Sequence, residues 1–534
     1  LLSSVFFLFC IEINRRDTPL TMVRENRWAS MSTKRASIAE WFRSRSVFIT
    51  GGTGFMGKVL IYKLLMSCPD LDNVFILIRE KKGADPHSRL RTLMQERPFA
   101  AIGEKYPKRL EKIVPLVGET TLDGLGLSEA DKERLINNVS VVFHVAANVR
   151  FDQPLKEAVK INAEGTLNVV SLAKQMTRLE SFIHVSTTYC QCHETVLEER
   201  AYPVPISAES IIMTVNKMTY DVVEAMTPKL LGEQPNTYAF TKALSEDIVE
   251  HSGLPAGVLR PSIVVASLKE PVVGWVDNMY GPTGLMIGAG KGVIRTMLCD
   301  YKYRVNAIPC DIAINTGIAL AWKVGCEKPS RPIYLNATNN EDNYLTWGDS
   351  IKWGKKHAVD NPFSGIFWYP GGGVTSSKLY HHLRLIFFHY LPAYFLDALL
   401  LLTGNKPFLV RVQRKISTGF GLLQYYTMKP WHFRNDRIHE LELELCPSDR
   451  ETFFLDMRTI DWNDFLRNYI LGARQYCLKD DLSTLPRARR IIRYYYVADI
   501  ILKVVLLVFI AWTIYSWLIP SREMTTTLID NTEL

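Results

Sequence analysis

Ser46-Val-Phe-Ile-Thr-Gly-Gly-Thr-Gly-Phe-Met-Gly57 joins a short apolar run to a glycine turn. The run Val47 to Ile49 stops at Thr50, and glycines follow at 51, 54 and 57. Beyond them, residues 58–66 carry apolar side chains at helical spacing. Strand, glycine turn and helix together present backbone N–H groups and a helix N-terminus to a pyrophosphate. Small residues belong there because the phosphates must approach the main chain and the helix must pack tightly on the strand. The stretch therefore implies a nucleotide site.

The residues that follow repeat the alternation. Residues 73–79 read as a second buried strand, and NAD-preferring folds usually end it with an acid that holds the ribose 2′-hydroxyl. Here Arg79 stands at that place with Lys81 and Lys82 behind it, so a 2′-phosphate, and hence NADPH, is expected. Residues 89–112 are polar and charged, a surface helix and loop. Residues 113–118 form a third strand. Residues 139–147 form a fourth, ending in small residues, Ala146 among them, where the nicotinamide half is expected. Helical periodicity then runs over residues 155–173, carrying Asn162, Gly165 and Thr166. A fifth strand over residues 181–189 runs into the hydroxyls Ser186, Thr187 and Thr188, and a sixth covers residues 259–264, including Pro261. This order predicts an α/β fold, a doubly wound parallel sheet of the Rossmann type. Four glycines within residues 284–292 suit either a mobile lid over substrate or an ordinary surface loop.

Tyr238 and Lys242 are four residues apart in Asn236-Thr-Tyr-Ala-Phe-Thr-Lys242 and share one face of a helix. A free tyrosine, with a pKa of about 10, is a poor acid or base at neutral pH. A cation beside it, together with a nicotinamide's positive charge, lowers that value and lets the phenol shuttle a proton.

The 534 residues are long enough for more than one domain, and 47% hydrophobic against 22% charged residues excludes a disordered or fibrous chain. The net charge of +8 is modest, and Arg487, Arg489, Arg490 and Arg493 gather just before an apolar segment. That arrangement reads as a membrane flank, and no nucleic-acid module is recognisable. Nine cysteines, scattered and without a CxxC pair, read as reduced thiols and give no metal site. Residues 500–519 are apolar except for Lys503, Thr513 and Ser516, long enough for one hydrocarbon core of about 30 Å. A transmembrane helix is expected over residues 497–519 with the body on the cytosolic side. Residues 1–40 are read as an extension that is disordered or not native. The apolar stretch 379–402 has three readings: the lining of an acyl tunnel, a segment dipping into the bilayer, or core.

Taken together, Thr50-Gly-Gly-Thr-Gly-Phe-Met-Gly57, Leu77-Ile-Arg79, Phe143-His-Val-Ala-Ala-Asn-Val-Arg-Phe-Asp152, His184-Val-Ser-Thr187, Tyr238 with Lys242 and Gly274-Trp-Val-Asp-Asn278 resemble the extended short-chain dehydrogenases. More closely they resemble the male-sterility-type, alcohol-forming fatty acyl-CoA reductases. Leu391-Pro-Ala-Tyr394 and Phe465-Leu-Arg-Asn-Tyr469 extend the match into that family's mainly helical C-terminal domain. The resemblance implies a reductase domain over residues 41–345 and the second domain over 346–485. It also implies two NADPH-dependent reductions of a long-chain acyl-CoA to the primary alcohol, with CoA released. Tyr238 would donate the proton, Lys242 would bind the ribose and tune Tyr238, and Thr187 would hold the carbonyl, Ser186 and Thr188 being near enough to take its place. The implied cofactor set is Thr50, Gly51, Thr53, Gly54, Phe55, Met56, Gly57, Arg79, Lys82, Ala146, Asn162, Tyr238, Lys242 and Pro261. Glu119 departs from the family's Gly-Asp pattern at Gly118-Glu119. An aldehyde-forming reductase and a membrane-bound sterol dehydrogenase are the alternatives. Membrane lipid is an expected partner, the endoplasmic reticulum is favoured over the peroxisome, and the oligomeric state is open.

Overall fold

The computed structural model describes residues 35–518 apart from 82, 340 and 341. Its chain divides into two compact units. One holds the described residues up to 276 together with Tyr303–Thr346 and Lys429–Phe465, and the other holds Asp277–Lys302, Trp347–Met428 and the described residues from 466.

The first unit is built on a seven-stranded parallel sheet. Its strands are β1 (Ser46–Thr50), β2 (Val74–Ile78), β3 (Ile113–Val117), β4 (Val139–His144), β5 (Ser181–Val185), β6 (Ala256–Pro261) and β7 (Ile333–Ala337). They lie in the order β3-β2-β1-β4-β5-β6-β7, and every adjacent pair is parallel. The order reverses between β1 and β4, the crevice where doubly wound sheets bind nucleotides. β1, β2, β4, β5 and β6 are buried along their whole length, which is why their sequences are continuous apolar runs rather than alternating ones. Helices α1 (Phe55–Ser67), α2 (Thr237–Glu250) and α3 (Cys310–Glu327) belong to this unit.

Three expectations are corrected here. The sixth strand is two: β6 stops at Pro261, the Ser262 N–H turns to the Ala337 carbonyl at 2.9 Å, and Ile263–Val265 pairs with Ala307–Pro309 in a separate ladder. Proline lacks the N–H that a continuing ladder would need. The surface segment after β2 is three helices, Pro86–Gln95, Arg97–Lys105 and Pro107–Leu110, each opened by a proline in its first turn. Residues 35–40 are packed: Trp322 Nε1 donates to the Ala36 carbonyl at 3.0 Å, and Ser37 and Glu40 close a capping box on helix Ile38–Trp41. The remainder of the expected N-terminal extension, residues 1–34, lies outside the described residues.

In the second unit the glycine-rich stretch is a helix, Pro282–Gly290. Its glycines serve close packing. A Cβ on Gly284 would lie 2.2 Å from the Met279 carbonyl oxygen, and one on Gly290 would lie 2.6 Å from Phe363. The unit also contains α4 (Lys378–Leu402), α5 (Leu409–Thr427) and α6 (Leu485–Leu518). By length and composition α4 and the helical run ending in α6 could each cross a membrane. Only about a fifth of α4's apolar window is buried, so the reading of residues 379–402 as core is wrong.

Candidate functional site

The glycine turn after β1 has no room for a side chain at Gly51 or Gly57. Gly51 has φ +76°, and a Cβ there would lie 2.7 Å from the Ala146 backbone nitrogen. A Cβ on Gly57 would meet the Gly51 carbonyl oxygen at 2.2 Å, so α1 sits directly on the turn. Gly54 is the N-cap of α1 and offers no side-chain acceptor, which leaves the first amides of the helix to face an anion. Phe55 stacks on Trp275 with ring centroids 5.3 Å apart. Asp311, buried at the start of α3, accepts the N–H groups of Leu268, Lys269 and Glu270 and fixes the loop that carries this tryptophan. These features fit a dinucleotide pyrophosphate.

One polar chain ties the turn to the neighbouring strands. Thr166 Oγ1 donates to the Asn162 carbonyl at 2.6 Å, so it accepts from His144 Nε2 at 3.0 Å. His144 Nδ1 is then the acceptor for Thr50 Oγ1 at 2.7 Å, and Thr50 Oγ1 in turn accepts the Ala146 N–H at 3.3 Å. The network thus assigns a neutral imidazole, and burial pushes the His144 pKa down to about 3. Asn162 lies in a π-helical turn, Val159–Glu164, whose extra residue re-aims side chains. Its amide accepts the Asn148 N–H at 2.8 Å and donates to Thr241 Oγ1 at 2.9 Å, joining the loop after β4 to α2.

α2 begins at an Asn236 cap whose Oδ1 accepts the Ala239 N–H at 2.9 Å. In the first turn Tyr238 is half-buried, and the Thr187 side chain is near enough to oppose the rise that burial imposes on its phenol. The Phe151 ring lies 5.6 Å from the Tyr238 ring. Ser186 is turned toward Cys190 and bonds β6 through its N–H, to the Leu259 carbonyl at 2.7 Å. Thr188 likewise bonds the Pro261 carbonyl at 3.0 Å. Of the three consecutive hydroxyls, Thr187 is therefore the one brought to Tyr238. Lys242 is fully buried and donates to the Val185 carbonyl at 2.7 Å, with His184 Nε2 at 3.5 Å. Burial holds its pKa down to about 8 against the pull of Glu246.

The phenol differs from the expectation drawn from its neighbour. Burial raises the Tyr238 pKa above its ordinary value, the Thr187 hydrogen bond opposes that rise, and the Lys242 ammonium is directed to a backbone carbonyl instead.

At the other end of the crevice Arg79 pairs with Glu119 at 2.9 Å, so the residue that departs from the family pattern partners the expected cation. Arg89, which sequence reasoning missed, lies on helix Pro86–Gln95 and donates to Thr53 Oγ1 at 3.0 Å and to the Arg79 carbonyl. Arg89 thus stands beside the glycine turn, and its pKa is pushed down by burial and by the nearby Arg79. Lys82 lies outside the described residues. Among the described residues no group of His, Cys, Asp and Glu could hold a metal ion.

A model of the NAD-binding part of the male sterility proteins matches residues 49–316, and a second male sterility protein model matches residues 388–480. The chain is 37% identical to fatty acyl-CoA reductase 1 of Mus musculus over 85% of its own length and 88% of that protein. It is 34% identical to fatty acyl-CoA reductase wat of Drosophila melanogaster over 90% and 93% of the two chains. Among solved structures, the reductase domain of a nonribosomal peptide synthetase from Mycobacterium tuberculosis is similar at a TM-score of 0.53. That likeness, at 16% identity over 84% of this chain and 95% of that one, is a likeness of fold.

Proposed function

The chain belongs to the male-sterility-type fatty acyl-CoA reductases, and on that premise we propose that it converts long-chain acyl-CoA to the primary alcohol in two rounds, with Tyr238 as proton donor. It is a nicotinamide-dependent oxidoreductase. The observation that carries the assignment of roles is the nearness of Thr187 to Tyr238, one helical turn from the buried Lys242.

The glycine turn, Arg79, Arg89, Ala146 and Asn162 would hold NADPH, which when bound would supply the hydride for the thioester carbon and, from a second molecule, for the aldehyde carbon. The hydroxyls of Thr187 and Tyr238 converge on the carbonyl oxygen and stabilise the charge that grows there. In the first round Tyr238 gives the oxygen its proton, the tetrahedral hemithioacetal collapses, the C–S bond breaks, and the hydroxyl proton passes to sulfur so that CoA leaves as the thiol with the aldehyde retained. In the second round Tyr238 gives its proton to the alkoxide oxygen, forming the alcohol. Lys242, its ammonium anchored on the Val185 carbonyl, would hold the cofactor's ribose. His144 and Asn162 fix the ends of β1 and β4 so that the oxygen and the donors meet at one distance.

Arg89 on Thr53, with Arg79 beside it at the end of β2, supports NADPH over NADH, because a 2′-phosphate is matched by guanidinium forks. Residues 500–518 are read as one membrane span, with the four arginines between 487 and 493 on the cytosolic side and the endoplasmic reticulum as the site. Ile519, the last residue of the expected span, lies outside the described residues.

The test is product analysis with membranes containing the protein, given acyl-CoAs of graded chain length and either NADPH or NADH, beside a Tyr238→Phe control. Alcohol formed with NADPH and lost in the control is the expected result. Accumulation of aldehyde would refute the two-round reaction.

A further inference from the structure

Within the second unit, α4 wears its polarity inside out. His381, His389, Ala393 and Asp397 are all buried along α4, whose π-helical turn Ile386–Tyr390 changes the phase between the first two. His381 Nδ1 lies 3.1 Å from Thr296 Oγ1, and His389 Nδ1 lies 3.0 Å from Gln413 Oε1. Asp397 accepts the N–H groups of Phe408, Leu409 and Val410 at 3.0, 2.9 and 2.9 Å, capping the start of α5. The rest of the circumference is apolar and open. Phe387, Leu391, Tyr394, Phe395, Leu399 and Leu402 are between 43% and 83% exposed, which marks an interaction surface.

Two observations say what covers it. The first is the place where α6 leaves the unit. Asp499, buried, accepts from Trp368 Nε1 at 2.6 Å and pairs with Arg295 at 3.5 Å. Arg295 also donates its own N–H to His389 Nε2 at 3.0 Å and accepts from Arg384 Nη2 at 2.7 Å through its carbonyl. A single residue therefore touches the root of the apolar helix and the middle of α4. The second is α5, which runs back along α4 with Tyr390 Oη donating to Ser417 Oγ at 2.9 Å. It exposes Arg411, Arg414 and Lys415. Cations of that density do not enter hydrocarbon, so the α4–α5 hairpin cannot cross a bilayer even though α4 alone is long enough.

We infer that the apolar face of α4 lies in the interfacial plane of the bilayer that α6 crosses, with Arg411, Arg414 and Lys415 directed to the lipid phosphates. An apolar face beside a cationic one is the composition of interfacial helices, whose binding grows with anionic lipid. The inference rests on reading residues 500–518 as a span.

Full-length protein reconstituted in vesicles of phosphatidylcholine and phosphatidylserine tests it. A benzophenone amino acid is placed singly at Phe395, at Val508 in α6, and at Val222, an exposed residue of the first unit, each variant being checked for reductase activity. Lipid adducts at 395 and 508 but not at 222 are expected. Charge reversal of Arg411, Arg414 and Lys415 to glutamate should cut the 395 adduct several-fold and leave the 508 adduct unchanged. Lipid adducts at 508 with protein–protein adducts, or none, at 395 would overturn the inference while the span stands. No lipid adduct at 508 would remove the span and the inference with it. An Asn405→Cys variant should react with an impermeant maleimide from the side of the catalytic body; reaction only from the opposite side would mean that α4 crosses, and would also overturn it.

Discussion

Arg260 donates to Glu246 twice, Nε to Oε1 at 2.8 Å and Nη2 to Oε2 at 2.7 Å, with both side chains removed from solvent. Cys190 Sγ donates to the same Oε1 at 3.2 Å, and the guanidinium is faced by the rings of Tyr202 and Tyr334. Tyr238, Lys242 and Glu246 succeed one another every four residues on one face of α2. The carboxylate behind Lys242 works against the burial that disfavours its charge.

Breaking that pair from one side leaves a charge buried without a partner. Arg260→Leu is expected to destabilise the first unit by about 3–5 kcal/mol. Glu246→Leu in addition should recover much of the loss. Thermal unfolding of the detergent-solubilised protein, compared across the single and double variants, measures both.

Lys242, at about 8, should impose a falling limb on kcat near that pH as its ammonium is lost. Glu246→Gln removes the group that favours the charge and should move the limb to lower pH. For stability the sign is set by the depressed value. The unfolded chain keeps its proton up to about 10.4, so the burial of Lys242 is unfavourable below about 8 and is relieved as pH rises from there. A pH–rate profile of the two proteins reads the first effect, and a limb unmoved by the substitution would refute it.

On the acid side the imidazoles dominate. His144, at about 3, and His184, also pushed well down by burial, stay neutral in the fold while the unfolded chain takes up protons below about 6.5. Their contribution is complete above that value and is lost as pH falls through it toward 3. The urea midpoint should therefore decline steadily below pH 6.5, and His144→Gln should flatten the decline.

If Thr187 shares the carbonyl oxygen with Tyr238, Thr187→Val should lower kcat by ~10²-fold with little change in cofactor affinity. Ser186→Ala, which removes a hydroxyl turned toward Cys190, should cost far less. Equal losses in the two variants would argue against the assignment.

Arg89 on Thr53, with Arg79 near it, gives a cofactor prediction. Arg79→Ala and Arg89→Ala should each raise KM for NADPH by roughly 10–100-fold, the worth of a hydrogen bond to a charged group, and leave KM for NADH nearly unchanged. Steady-state kinetics with both cofactors distinguishes this from a general loss of folding.

The first five strands were legible in the sequence because a parallel sheet buried on both faces writes itself as short apolar runs between turns. β7 was not, since Ile333-Tyr-Leu-Asn-Ala337 is broken by an asparagine whose amide is spent on the Leu197 and Arg434 carbonyls. The Tyr238 and Lys242 spacing was readable, whereas their partners Val185 and Thr187 meet them only through the fold. Arg89 left no signal beyond the Asp85-Pro86 helix start that carries it, and its approach to Thr53 spans thirty-six positions. The glycines between 284 and 292 misled because close helix packing and mobility ask for the same residue.

α6 runs without interruption from Leu485 to Leu518, and Asp499 pins it to the second unit. Nothing between body and apolar segment can act as a slack tether. Were α6 to cross a bilayer as proposed, thickening that bilayer would have to pull a charged, hydrogen-bonded carboxylate toward oil or break its contacts with Trp368 and Arg295.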